Sequence, residues 1–155
     1  MFREMRKKNR EISAEKAMDI LISCPWGTLS MLGDDGYPYG VPVNFVVMNG
    51  AIYIHCAQEG HKLDAIRACS KVCFSAVAKA DILPAEFSTG FASAIAFGAA
   101  REVDGDEKVR ALLGFIEKYS PDHLEAGAAY VHRAAAATNM IRIDIAHVSG
   151  KSSNP

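Results

Sequence analysis

The sequence has no apolar run near the roughly 20 residues that a membrane-spanning helix needs; its most apolar stretch, 91–100, is too short. Its opening residues hold no apolar stretch of the secretory-signal kind. The four cysteines, Cys24, Cys56, Cys69 and Cys73, include no Cys-x-x-Cys pair, so the usual spacing for structural zinc or dithiol redox chemistry is missing. These thiols read as reduced and mostly buried, in a cytoplasmic protein. No Gly-x-Gly-x-x-Gly occurs, and no internal repeat. Neither sign of charge dominates: 17 Lys and Arg stand against 18 Asp and Glu, for a net charge of -1, so nucleic acid is not an expected partner. The one basic cluster, Arg3, Arg6, Lys7, Lys8 and Arg10, is broken by Glu4, followed by Glu11, and reads as a solvated N-terminal arm over 1–11.

Half of the 155 residues are hydrophobic, enough for the core of one domain spanning 1–155. Ser13 caps a predicted helix over 13–23, with Ala17, Ile20 and Leu21 on one face and Pro25 ending it. A strand at 26–32 leads through the turn Gly33-Asp34-Asp35-Gly36 to a second strand at 39–48. Within it, Pro42 cannot donate to a ladder, which predicts a sheet edge or a bulge. Asn49-Gly50 is a strong hairpin signal and leads into a third strand, 51–56. A helix from about 61 to 68 precedes a fourth strand at 71–78. Residues 79–90 read as a polar, proline-containing connection, and 92–103 as a long strand with a bulge at Gly98. Helices at about 106–119 and 121–135, a strand at 140–148 and a loose polar tail at 149–155 complete the reading. Six strands joined largely by hairpins argue for an α+β fold with a mainly antiparallel sheet curled into a barrel.

The stretch Ile52-Tyr53-Ile54-His55-Cys56-Ala57-Gln58-Glu59-Gly60-His61-Lys62-Leu63-Asp64-Ala65-Ile66-Arg67 carries the strongest functional signal. A β-prone run stops at a glycine, and a basic pair opens an amphipathic helix. A helix start offers unpaired N–H groups and a partial positive charge, to which His61, Lys62 and Arg67 add more. Such a start suits the phosphate of a small molecule.

Several segments together resemble a known family: Gly36-Tyr37-Pro38-Tyr39-Gly40-Val41-Pro42-Val43-Asn44-Phe45, Ile52 to Ala57, Gly60-His61-Lys62-Leu63-Asp64-Ala65-Ile66, and Val72-Cys73-Phe74. The pattern is similar to the pyridoxamine 5′-phosphate oxidase-like FMN-binding split barrels. The opening Phe2-Arg3-Glu4-Met5-Arg6, Ser93-Ala94-Ile95-Ala96-Phe97-Gly98 and the closing Val148-Ser149-Gly150-Lys151 resemble its nitroimidazole-resistance branch. The resemblance runs over nearly the whole chain. It implies a six-stranded split barrel that dimerises with itself and holds FMN in clefts at the dimer interface. It places Pro42, Val43 and Asn44 beside the isoalloxazine ring and His55, Cys56 and Ala57 along the neighbouring strand end. It assigns the phosphate to Gly60, His61 and Lys62, with Ser93 nearby. No metal is implied, since adjacent His55 and Cys56 in a strand point to opposite faces. No paired base marks any cysteine as a nucleophile. The resemblance implies an FMN-dependent oxidoreductase of small molecules, reducing nitroimidazole-type nitro groups to amines, with His61 as the catalytic candidate. The alternative is a non-catalytic FMN- or haem-binding, or redox-sensing, module.

Overall fold

The computed structural model describes residues 2–153. Eight strands form one antiparallel sheet: β1 (Glu11–Ile12), β2 (Gly27–Leu32), β3 (Pro38–Val43), β4 (Val46–Met48), β5 (Ala51–Cys56), β6 (Lys71–Leu83), β7 (Ser88–Val103) and β8 (Asn139–Ser153). Four α-helices accompany them: α1 (Ala14–Ser23), α2 (His61–Ala68), α3 (Gly105–Tyr119) and α4 (Leu124–Ala134). The strand order is β3-β2-β6-β7-β8-β5-β4, with β1 added beside β8.

That order forces the curvature. The edge strands β3 and β4 lie at opposite ends of the sheet, yet only Asn44 and Phe45 separate them in sequence. Three peptide steps span at most about 11 Å, so the sheet must curl until its two edges stand side by side. Among the described residues no ladder joins those edges. The result is the α+β split barrel that the sequence predicted, open along one seam.

Alternation fills the barrel. Leu29 and Met31 of β2, Phe74 and Ala76 of β6, Ala94 and Ala96 of β7, and Ile141 and Ile143 of β8 all point into one core. α1 adds Ala17, Ile20 and Leu21 to it, and the rings of Phe45 and Phe74 meet at 4.6 Å. Ser13 caps α1 as expected, its hydroxyl accepting from the Lys16 N–H at 3.3 Å. A second, smaller core joins Val46, Tyr53 and Met140 to Ala111, Leu112 and Phe115 of α3 and Val131 of α4.

The turn expectation matches the observed backbone. Asn49 and Gly50 both have positive φ (49° and 72°), as a two-residue hairpin turn requires. The expected bulge lies on the partner strand: from Phe97 opposite His147 to Gly98 opposite Ile145 the register skips Ala146 of β8, while Gly98 is paired and packs so closely that an added Cβ would run into the Asp144 carbonyl. Pro42 sits on an edge strand.

Other expectations need correction. Eight strands replace six. The stretch read as one strand over 39–48 breaks at Asn44-Phe45, where the chain crosses the seam, and Glu11, the last residue of the expected arm, pairs with Lys151 in a short strand with Ile12. Residues 79–90 are a long hairpin, not a connection: β6 runs to Leu83 and β7 starts at Ser88, around a 3-10 turn at Pro84–Glu86. Residues 77–82 are exposed, so no buried face imposes an alternating pattern there. The predicted tail at 149–155 is strand through Ser153, because backbone ladders to β1 and β7 hold it whatever its side chains; residues 154 and 155 lie outside the described range.

Candidate functional site

β5 ends at Cys56, a four-residue loop follows, and α2 starts after Gly60. Gly60 has φ 136° and ψ 164°, and no side chain caps the helix start. The Leu63 N–H donates to the Gly60 carbonyl at 2.9 Å. The N–H groups before it, on His61 and Lys62, have no acceptor within the helix, as at any helix start. Space around Gly60 is open: a Cβ there would meet nothing within 4 Å.

His61 leans across to the edge strand. Its ring stacks on Tyr39 of β3, with centroids 4.1 Å apart and planes 18° from parallel. Its Nε2 lies 3.9 Å from an Asp34 oxygen in the β2–β3 turn. That turn is held by the Gly33 N–H donating to Tyr37 O at 2.8 Å and the Tyr37 N–H donating to Asp35 Oδ1 at 3.0 Å. The acidic pair read as turn chemistry therefore divides its roles: Asp35 builds the turn, and Asp34 faces His61.

The start of α2 thus lies against β3 at Tyr39. Pro42 is three residues farther along that strand, about 10 Å away. β3 pairs only with β2, so the backbone groups on its other side are unpaired among the described residues. Its outer face is flat: Gly40 and Pro42 are exposed beside Thr28 and Ser30 of β2, and a Cβ at Gly40 would rest 3.5 Å from Thr28. Asn44, just past the end of β3, is tied down: its Nδ2 donates to the Pro25 carbonyl at 2.9 Å.

His55 closes the β5 side. Its ring meets Phe115 of α3 edge-on at 4.5 Å. Desolvation, then the nearby Lys62 ammonium, holds its pKa below the usual imidazole value, which favours the neutral ring. Burial pushes the Cys56 thiol up, with Lys62 opposing only in part, which disfavours the thiolate. Ala57 follows in the exposed loop.

His55, Cys56, Ala57, Gly60, His61 and Lys62 lie on the end of β5, its loop and the start of α2, and the His61–Tyr39 stack sets that segment beside β3, the strand that carries Pro42 and Val43. Ser93 is elsewhere. It lies in β7 between Val77 and Lys151, three strands and roughly 14 Å across the sheet from β3. Tyr39, Asp34 and Phe115 were not anticipated as neighbours of the site. Their contacts bridge turns and helices that no local pattern links, although the Tyr39 position inside the quoted β3 motif was a usable signal.

A second concavity, of about 610 Å³, opens on the outer sheet face among Phe2, Ser30, Cys73 and Phe97. It is mostly apolar and lies one strand from Gly40. An open helix start with Lys62 and His61 suits a phosphomonoester, and an edge strand with a small-residue face suits a flat heterocycle. The donor set therefore fits a flavin nucleotide.

Comparisons with solved structures agree on the fold. A candidate 5-nitroimidazole antibiotic resistance protein from Bacteroides thetaiotaomicron superposes with a TM-score of 0.75 at 21% identity, over 91% of this chain and 85% of that one. The flavocytochrome Anf3 from Azotobacter vinelandii gives 0.80 at 20% identity, over 98% and 73%. An FAD- and haem-binding protein from Mycobacterium smegmatis gives 0.78 at 22%, over 94% and 74%. No curated protein sequence is significantly similar to this chain. The family model described as pyridoxamine 5'-phosphate oxidase matches residues 13–152. With the split barrel observed and that model covering nearly all of it, the chain belongs to the pyridoxamine 5'-phosphate oxidase-like family.

Proposed function

We propose that this protein binds FMN and uses it to reduce small molecules, nitroimidazole-type compounds among them. The observation that carries this reading is the uncapped start of α2, set by the His61–Tyr39 stack against the open edge of β3. Lys62 and the first N–H groups of α2 hold the phosphate, and Lys62 supplies a point charge. The Pro42–Val43 edge and the face at Gly40 take the ring. When bound, a flavin supplies hydride or single-electron transfer. His61 stands between phosphate and ring, where an imidazole can donate a hydrogen bond or hand on a proton.

The distance of Ser93 from this end favours a homodimer in which a second copy brings its own β7 to the cleft. Exposed Val77, Ile82, Phe87 and Ile95 on the β6–β7 hairpin give such a partner an apolar surface. The similarity to a nitroimidazole-resistance candidate supports the substrate class, and the flavin- and haem-binding relatives support a redox cofactor.

The test begins with colour. Purified protein should be yellow and release a flavin on heating, identified by mass as FMN and not FAD. A Soret band would replace flavin with haem, and protein that stays colourless in added FMN would sink the proposal. Anaerobic incubation with a reductant and a 5-nitroimidazole should then yield the amine. Bound flavin without turnover would make the protein a binding or redox-sensing module.

A further inference from the structure

The seam of the barrel has an unusual backbone. At Phe45 the chain leaves one edge of the sheet and has not yet joined the other, so neither its N–H nor its carbonyl belongs to a ladder. Both are bound by side chains from the last turn of α3. The Phe45 N–H donates to the Tyr119 hydroxyl at 3.0 Å, and Lys118 Nζ donates to the Phe45 carbonyl at 3.0 Å. The Tyr119 oxygen also lies 2.7 Å from the carbonyl oxygens of Pro25 and Phe45, one of which takes its hydrogen. Asn44 ties to the same Pro25 carbonyl.

Lys118 has no carboxylate partner among the described residues. Its ammonium sits 4.2 Å over the Phe45 ring, and burial pushes its pKa down. A half-buried lysine without a counter-ion is costly, and here its bond to the Phe45 carbonyl offsets part of that cost. The same helix face continues to the other wall of the site: Tyr119 stacks on Phe115 at 5.8 Å, and Phe115 meets His55 at 4.5 Å. Positions 115, 118 and 119 share one face by helical spacing. One turn of α3 therefore touches both strand ends that flank the candidate site.

We infer that Tyr119, assisted by Lys118, is a positioning residue for the flavin: it fixes Asn44 and Phe45 at the seam and thereby sets the Pro42–Val43 edge against the ring. This rests on the flavin reading above. In this role each acts through the backbone it holds.

The test compares wild type with Tyr119→Phe, Lys118→Met and a control at the exposed Tyr130, Tyr130→Phe. Three quantities are read: FMN affinity, the visible absorption band of bound FMN, and amide exchange at Asn44 and Phe45 without cofactor. Tyr119→Phe should accelerate exchange at Phe45, weaken FMN roughly tenfold and shift the bound band, because a lost bond to a buried backbone group costs about that much. Lys118→Met should do the same more weakly, and Tyr130→Phe should do nothing. A purely structural role would lower thermal stability while leaving the affinity and band of the folded fraction unchanged, and that result overturns the inference. Should Tyr119→Phe fail to fold, Lys118→Met decides: unaltered affinity and band overturn the inference. Wild type that takes up no FMN refutes the flavin reading itself, and with it this role. Normal uptake with an indifferent Tyr119→Phe refutes the positioning role alone.

Discussion

Lys62 and Lys151 make a paired test of where the phosphate binds. Lys62 follows the open start of α2, while Lys151 is fixed in the β8 ladder opposite Ser93 and Glu11. Lys62→Ala should weaken FMN about tenfold at low salt, less at high salt as screening removes its charge advantage, and more than Lys151→Ala at either. Equal losses at the two positions would mean the phosphate lies elsewhere. Acid behaviour is set by other residues. Glu107 accepts from Arg142 at 2.7 Å and Tyr53 at 2.9 Å, and Arg142 first, then Tyr53, lowers its pKa. The Arg67 guanidinium, with Asn139, does the same for Glu102. A carboxyl whose folded pKa is depressed stabilises the fold above its unfolded pKa and loses that contribution as pH falls through the folded one. Urea midpoints should therefore decline below about pH 4.5. Glu107→Gln should flatten part of that decline; an unchanged acid limb would refute the assignment. Some of these residue roles were legible in the sequence. Ser13 as a cap, Asn49-Gly50 as a turn and Gly60 before a helix are local signals, and each stands as read. Tyr119 was not legible: its partners lie 74 and 94 positions away, and no spacing rule reaches that far.

The β6–β7 hairpin shows where pattern reading fails among the elements. Periodicity reports a buried face, and the outer part of β6 has none, so eight ladder residues, 79–83 and 88–90, read as a loop. β8 shows the same limit, since its last described residues are polar yet laddered, Gly150 and Lys151 on both sides and Ser152 and Ser153 to β7. The closely packed elements were read correctly because burial wrote itself into their sequence. Close approach also makes them sensitive. Gly98 of β7 lies so near β8 that Gly98→Ala should cost about 2 kcal/mol of unfolding free energy by overpacking. Gly36→Ala, in open space, should cost less, mainly through its φ of 83°. Chemical denaturation of the two variants measures the difference, and equal costs would mean that β7 and β8 part easily at the bulge.

Taken whole, the molecule carries apolar side chains on the outer part of the β6–β7 hairpin that its own core does not use. Val77 is 58% exposed, Ile82 72% and Phe87 98%, values that suit an interface better than a free surface. Sedimentation should show a dimer, and Ile82→Asp with Phe87→Asp should yield monomers of similar thermal stability but with weakened FMN binding. Monomeric wild type would remove the second copy from the cleft. The placement of β8 has a different consequence, which concerns folding order. It follows β2 to β7 in the chain, yet it sits between β7 and β5, carries Ile141 and Ile143 into the core, and also anchors β1. Without it β5 and β7 would each show an unpaired edge and the interior would stay half built. The barrel therefore closes only when β8 docks, and any species that lacks that docking exposes strand edges open to wrong partners.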